Sequence, residues 1–216
     1  MNDWQRLRAK EFSDFYGWPL HQVEELFSVS KSFFECVWLG MNPVERWQEE
    51  LYYNGPWLTL RQMSYDENDA LPTSLKHFID ESSGLVLDFG CGAGDTLIYG
   101  AQKDKAMMGI ETLGKIPFLK YRRDIRGLDY DLISGGPLPL KAERVILSSV
   151  LDHLPDPVSF AHQIVKISAG PIYATPCIDE SYDRPTHNKE ILRHVPEAFK
   201  IIRKHNEPYL GTATFP

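Results

Sequence analysis

The segment LVLDFGCGAGDT, residues 85 to 96, runs a short apolar stretch containing one acid directly into three glycines within five positions. Few folds accommodate this. Glycine accepts positive φ and, having no Cβ, lets another group approach the main chain closely. An apolar run without strict alternation reads as a strand buried on both faces, so Gly90, Gly92 and Gly94 fall where a first strand turns into its helix. In a doubly wound sheet that turn is the ligand site, because its free amides and the positive end of the helix face outward beyond the strand.

The chain beyond residue 84 repeats the pattern. Leu85 to Phe89, Ala106 to Ile110, Tyr130 to Ile133, Arg144 to Ser148 and Pro171 to Thr175 read as buried strands. Helical stretches are expected between them near 95 to 103, 113 to 122 and 157 to 167, the last with Asp156 as cap and Pro157 at its first position. This is the strand–helix order of an α/β fold with a mostly parallel sheet. The tail AFKIIRKHNEPYLGTATFP offers two strand-like runs around Asn206 to Pro208, which predicts an antiparallel hairpin closing one sheet edge.

Residues 1 to 80 differ in composition: all five tryptophans (Trp4, Trp18, Trp38, Trp47 and Trp57) lie there. Leu20, Val23 and Phe27, then Phe33, Cys36 and Val37, recur at helical spacing, and Asn42-Pro43 starts a further helix through Trp47 and Leu51. The expected organisation is a helical cap over residues 1–80 and a ligand-binding domain over 81–216. The cap's aromatics either form its own core or face a substrate or a second subunit.

Composition narrows the partners. A net charge of −7 gives no general attraction for polyphosphate, so nucleic acid is not expected. The one basic strip, KYRRDIR at 120 to 126, reads as a solvated helix end. No stretch approaches the roughly 20 apolar residues of a membrane span, and the opening residues lack a signal-peptide core, which predicts a cytoplasmic protein. Cys36, Cys91 and Cys177 are widely spaced and odd in number, so free thiols are expected rather than disulfides or a CxxC metal site.

The glycine spacing separates two classes of ligand. GxGxG replaces the dinucleotide pattern GxGxxG, and Asp95 stands where the third dinucleotide glycine would be, which weighs against a pyrophosphate. Asp88, at the strand's end, suits a ligand with an ammonium group and a sulfonium, as in S-adenosylmethionine. From these residues the chain resembles the class I S-adenosylmethionine-dependent methyltransferases. LDFGCGAG is similar to their first motif and MMGIE to their second strand with its terminal acid, Glu111. VILSSVLDHLPDP and GPIYATP look like the fourth and fifth strands of the branch that includes the ubiquinone-biosynthesis O-methyltransferases. The resemblance covers roughly residues 84 to 215. It implies a Rossmann-like doubly wound, seven-stranded, mostly parallel sheet with an antiparallel edge hairpin.

The resemblance also assigns roles. Glu111, 23 residues after Asp88, would accept the ribose hydroxyls. Asp88, Gly90, Cys91, Gly92 and Gly94 would form the cofactor loop, with Cys91 filling space. The family's adenine-binding acid after the third strand is missing from LISGGPLPL, which leaves Ser134 and backbone groups, or Asp129 or Asp131, for that task. Ser149 and Val150 would line the methionine end. Where the branch carries an acid-x-x-acid-His cluster associated with a divalent metal, this chain reads Ser149, Asp152 and His153; a carboxylate is replaced by serine, so metal dependence is not expected. His153 is either a general base or a side chain capping the loop before Pro155, and His187 is either a second acid or base or a surface residue. Asp152, Tyr52, Tyr53 and Trp57 are the candidate acceptor-binding residues. The expected activity is methyl transfer to a small molecule, at oxygen before nitrogen. A noncatalytic S-adenosylmethionine- or S-adenosylhomocysteine-binding module, a macromolecular methyltransferase and a nicotinamide enzyme are the alternatives.

Overall fold

A computed structural model describes residues 1–28, 54–135, 138, 141–175 and 192–209. Cys36, Cys177, the helix expected from Asn42-Pro43, and residues 210–216 lie outside them. The described chain begins with α1 (Asp3–Tyr16), α2 (Leu20–Ser28), α3 (Pro56–Ser64), α4 (Glu67–Ala70) and α5 (Thr73–Asp80). There follow β1 (Val86–Phe89), α6 (Asp95–Ala101), β2 (Met107–Ile110), α7 (Ile116–Asp124), β3 (Asp131–Ile133), β4 (Arg144–Ser148), α8 (Pro157–Ile167), β5 (Ile172–Thr175) and α9 (Val195–Asn206).

The five described strands form one parallel sheet in the order β3-β2-β1-β4-β5. Chain order reverses between β1 and β4, so the carboxyl end of β1 opens at the switch point where this architecture places its ligands. Leu87 lies between Met108 of β2 and Val145 of β4. Alternation distributes the strand side chains to two cores. Val86, Ile146 and Tyr173 pack with α5, α6 and α7 on one face. Leu87, Val145, Leu147 and Ile172 pack with α8 and α9 on the other. Both faces are covered, which is why these strands read as continuous apolar runs.

The carboxy-terminal expectation is corrected. Residues 195–206 form a helix, and Glu207–Tyr209 a short 3-10 turn, where the first arm of a hairpin was expected. Val195, Ala198 and Ile202 recur at helical spacing and are buried against the sheet. Five strands are described, all parallel, against the seven expected. The edge of β5 is managed differently: the Asn206 amide accepts from Ile172 N at 2.9 Å and donates to Ile172 O at 2.8 Å. One side chain thus occupies both backbone groups that Ile172 would offer to an added strand.

Helix α1 starts at a capping box, with the Asn2 side chain accepting from Gln5 N and Gln5 returning a bond to Asn2 N. Its Phe12 joins Val23 and Phe27 of α2 and Leu60 and Met63 of α3 in a third apolar cluster. That cluster includes Ala93 of the glycine turn and Phe118 of α7, so the amino-terminal helices sit directly on the β1–α6 turn. No described helix is long and apolar enough to cross a membrane.

Candidate functional site

Gly90, Gly92 and Gly94 all adopt left-handed φ, at +70°, +56° and +83°. These are conformations that cost an L-residue about 1–2 kcal/mol each. The turn is braced from β2: Gly90 N donates to Ile110 O at 2.8 Å, and Gly92 N to the Glu111 carboxylate at 2.7 Å. Space is as restrictive as conformation. A Cβ on Gly90 would come within 2.8 Å of Val150, and one on Gly92 within 2.7 Å of the Gln62 amide.

The structure brings together most of the residues expected at the cofactor loop. Asp88 is buried at the end of β1 and accepts a short hydrogen bond from Thr96 Oγ1 in the first turn of α6. Burial pushes its carboxyl from an ordinary 3.8 up to about 7; the Thr96 bond opposes the shift, and the nearby acids Glu111 and Asp95 reinforce it. Glu111 follows β2, its Oε2 held by Gly92 N and its Oε1 accepting from Thr112 N at 2.8 Å. A carboxylate has about four lone-pair sites, so two remain for a diol. Cys91 is buried against Gly109, and burial pushes its thiol well above its ordinary range.

The other expected residues are distributed around this centre. Ser134 is exposed at the end of β3, one residue beyond Ile133, whose carbonyl accepts from Glu111 N at 3.2 Å. Ser149 follows β4 with φ +56°, a left-handed conformation that a non-glycine residue rarely keeps without a surrounding constraint. Its amide donates to Thr175 O at 2.9 Å, and the strained turn delivers Val150 to Gly90. Asp152 is buried beside the exposed His153, with 3.6 Å between carboxylate and imidazole. Trp57 packs edge-on against Trp18 in the amino-terminal cluster, with ring centroids 5.2 Å apart. Tyr52, Tyr53 and His187 lie outside the described residues. Among the described residues no group of three or more His, Cys, Asp or Glu side chains is arranged to hold a metal ion.

Several side chains at this site were not expected from the sequence. Asp95, the first residue of α6, is buried and ion-paired with Arg8 of α1 at 2.5 Å and with Arg122 of α7 at 3.0 Å. Burial pushes the Asp95 carboxyl up, but the two guanidiniums outweigh it and hold the group below its ordinary value. Arg122 also donates to Ala93 O inside the glycine turn and pairs with Glu11 at 3.0 Å, and Arg126 pairs with Glu11. The basic strip at 120 to 126 is therefore no solvated helix end: Arg122 is buried, and it grips the turn. Lys115, 3% exposed, lies 3.9 Å from Glu111 and donates to Gln62 Oε1 at 3.2 Å. Desolvation lowers its ammonium below the ordinary lysine value, and Glu111 opposes the shift.

Fold and site together define a doubly wound α/β protein with a glycine cradle flanked by two acids at its switch point. No protein-family model matches the sequence, and no curated protein matches it. Solved structures similar to it include a SAM-dependent methyltransferase from Aquifex aeolicus, at 15% identity over 65% of this chain and 82% of that one, with a TM-score of 0.46. A putative sarcosine dimethylglycine methyltransferase from Galdieria sulphuraria is similar at 15% identity over 58% and 53% of the two chains, TM-score 0.46. An O-methyltransferase from neocarzinostatin biosynthesis, in complex with S-adenosylmethionine and 2-hydroxy-5-methyl naphthoic acid, is similar at 20% identity over 61% and 42%, TM-score 0.45. The chain spans about half the length of two further structures it matches, 47% and 46% of them.

Proposed function

We propose that this protein binds S-adenosylmethionine in the glycine cradle and transfers its methyl group to a small molecule, at oxygen in preference to nitrogen. The observation that carries the reading is the pairing of Asp88 and Glu111 across the left-handed turn. Two acids at adjacent strand ends suit one ligand that has a cationic amino-acid end and a neutral diol, and the left-handed turn between them ties Gly92 N to the Glu111 carboxylate. A pyrophosphate would meet two carboxylates and repel both.

When bound, the cofactor supplies a methyl group already activated by the sulfonium. The protein's residues then have three tasks: to bind, to orient and to exclude water. Asp88, held by Thr96, binds the ammonium end. Glu111, held by the Gly92 and Thr112 amides, orients the ribose. Val150 and Ser149 bound the methionine end on the β4 side. His153, beside Asp152, accepts the acceptor's proton as the new bond forms. The amino-terminal helices cover the turn and exclude water.

Calorimetric titration with S-adenosylmethionine, S-adenosylhomocysteine and NAD tests the reading. Binding of the first two without the third supports it, and binding of NAD alone overturns it. Binding without methyl transfer to any phenol, carboxylate or amine acceptor would point instead to a noncatalytic module.

A further inference from the structure

Gln62 of α3 is held at both of its polar ends by cations that each belong to an acid of the site. Its backbone carbonyl accepts from Arg8 Nη2 at 2.7 Å, and Arg8 is the partner of Asp95. Its side-chain Oε1 accepts from Lys115 Nζ at 3.2 Å, and Lys115 is the partner of Glu111. An ammonium has donors only, so the amide is oriented with oxygen toward Lys115 and nitrogen away from it. That nitrogen faces the bare Cα of Gly92, 2.7 Å from where a Cβ would lie. Among the described residues no acceptor for it is found. The nearby carbonyls of Cys91 and Ala93 are engaged by Gly94 N and Arg122.

We propose that Gln62 is a specificity-determining ligand contact, whose Nε2–H donates to a ribose hydroxyl oxygen of the nucleoside in the cradle, and that Lys115 is the positioning residue that sets the amide's orientation. The inference rests on the nucleoside reading above and extends it to a residue from the amino-terminal helices. Its chemistry is complementary to that of Glu111. A hydroxyl both donates and accepts; Glu111, ionised, only accepts, so a hydroxyl donating to Glu111 keeps lone pairs that need a donor. Gly92 N already serves Glu111 at 2.7 Å, which leaves the Gln62 amide as the side-chain donor over the same glycine. A deoxynucleoside ligand would leave both Glu111 and Gln62 without their partner, so the pair selects a ribose.

The test compares S-adenosylhomocysteine with its 2′-deoxy and 3′-deoxy analogues on the whole protein and on Gln62→Leu. The wild-type protein should favour the ribose ligand over at least one deoxy analogue by tenfold or more. Gln62→Leu should weaken S-adenosylhomocysteine about tenfold while leaving that deoxy analogue nearly unchanged, so the preference falls by about that factor. Lys115→Met should reduce the same preference and add little to Gln62→Leu in the double variant, as expected of a group acting through the amide. If Gln62→Leu does not fold, Gln62→Glu keeps an oxygen for Lys115, replaces the donor by an acceptor, and should lose the same preference. An undiminished preference in a folded Gln62 variant, or equal weakening of both ligands, overturns the inference and leaves the nucleoside reading standing. Failure of the wild type to bind any of these nucleosides overturns both.

Discussion

Arg8 Nη2 lies 2.5 Å from Asp95 Oδ2, an ion pair that joins two residues 87 positions apart and fastens the first helix of the chain to the first turn of α6. Arg8 is fully buried, and its Nη2 and Nη1 also donate to the carbonyls of Gln62 and Tyr65 at 2.7 and 2.9 Å. The amino-terminal helices are thus tied to the glycine turn by charge as well as by the Phe12–Phe118 contact. A buried pair is a poor source of net stability, since both ions lose their hydration, but it specifies one arrangement strongly.

Removing one member should therefore cost far more than the pair contributes. Arg122→Met takes a cation from both Glu11 and Asp95, leaving them Arg126 and Arg8, and also releases Ala93 O, and it should destabilise the protein by roughly 3 kcal/mol. Arg8→Met leaves Asp95 with Arg122 and should cost less. Urea denaturation of both variants checks the order, and an Arg122→Met midpoint equal to wild type would show that the cluster carries no such role.

The turn's conformation makes its own demand. Gly92→Ala must place a Cβ at φ +56° and 2.7 Å from the Gln62 amide. The left-handed residue costs about 1–2 kcal/mol, and the amide must move away as well. Expected outcomes are a lowered melting temperature and loss of S-adenosylhomocysteine binding together; a variant that lost neither would show that the turn relaxes freely.

These relationships divide by how far along the chain their causes lie. The glycine turn, Asp88 and Glu111 could be read from the sequence because a strand, its turn and its helix are adjacent residues whose backbone preferences are local. Arg8, Gln62 and the Lys115–Gln62 contact could not, because the residues joined lie 87, 54 and 53 positions apart. A charge run such as KYRRDIR reads as solvated unless Glu11 and Asp95 are known to be delivered to it. The carboxy-terminal segment hides its helix in another way. AFKII favours strand locally, and only the wider spacing of Val195, Ala198 and Ile202 betrays the helix. The Asn2 and Gln5 capping pair was a local signal for α1 that the sequence does carry.

Asp88 and Asp95 predict opposite pH dependences from neighbouring positions. With its carboxyl raised from 3.8 to about 7, Asp88 binds a proton more tightly folded than unfolded. Its contribution is fully present below pH 3.8 and is lost as pH rises toward 7. Asp95, held low once its two arginines outweigh burial, contributes above the unfolded carboxylate pKa, and that contribution is lost as pH falls through its folded value. Asp88→Asn should remove the decline between about pH 4 and 7 and leave acid unfolding below pH 4 in place. Denaturation midpoints across that range decide it: parallel profiles for wild type and Asp88→Asn would contradict the raised carboxyl.

Glu111 is the residue on which the nucleoside reading is most exposed. Its carboxylate accepts from two backbone amides and faces the buried Lys115, so Glu111→Ala removes a brace of the turn and strands an ammonium as well as deleting a ligand contact. Glu111→Gln separates these effects, because the amide keeps an oxygen for Gly92 N while losing the charge. If both ribose hydroxyls donate to the carboxylate, Glu111→Ala should weaken S-adenosylhomocysteine by about 1.5 to 3 kcal/mol, with Glu111→Gln between it and wild type. Calorimetry against S-adenosylhomocysteine and against homocysteine, which has no ribose, isolates the contact. Loss confined to the nucleoside assigns Glu111 to the ribose, whereas an unchanged dissociation constant in Glu111→Ala would leave the carboxylate as a brace for Gly92 alone.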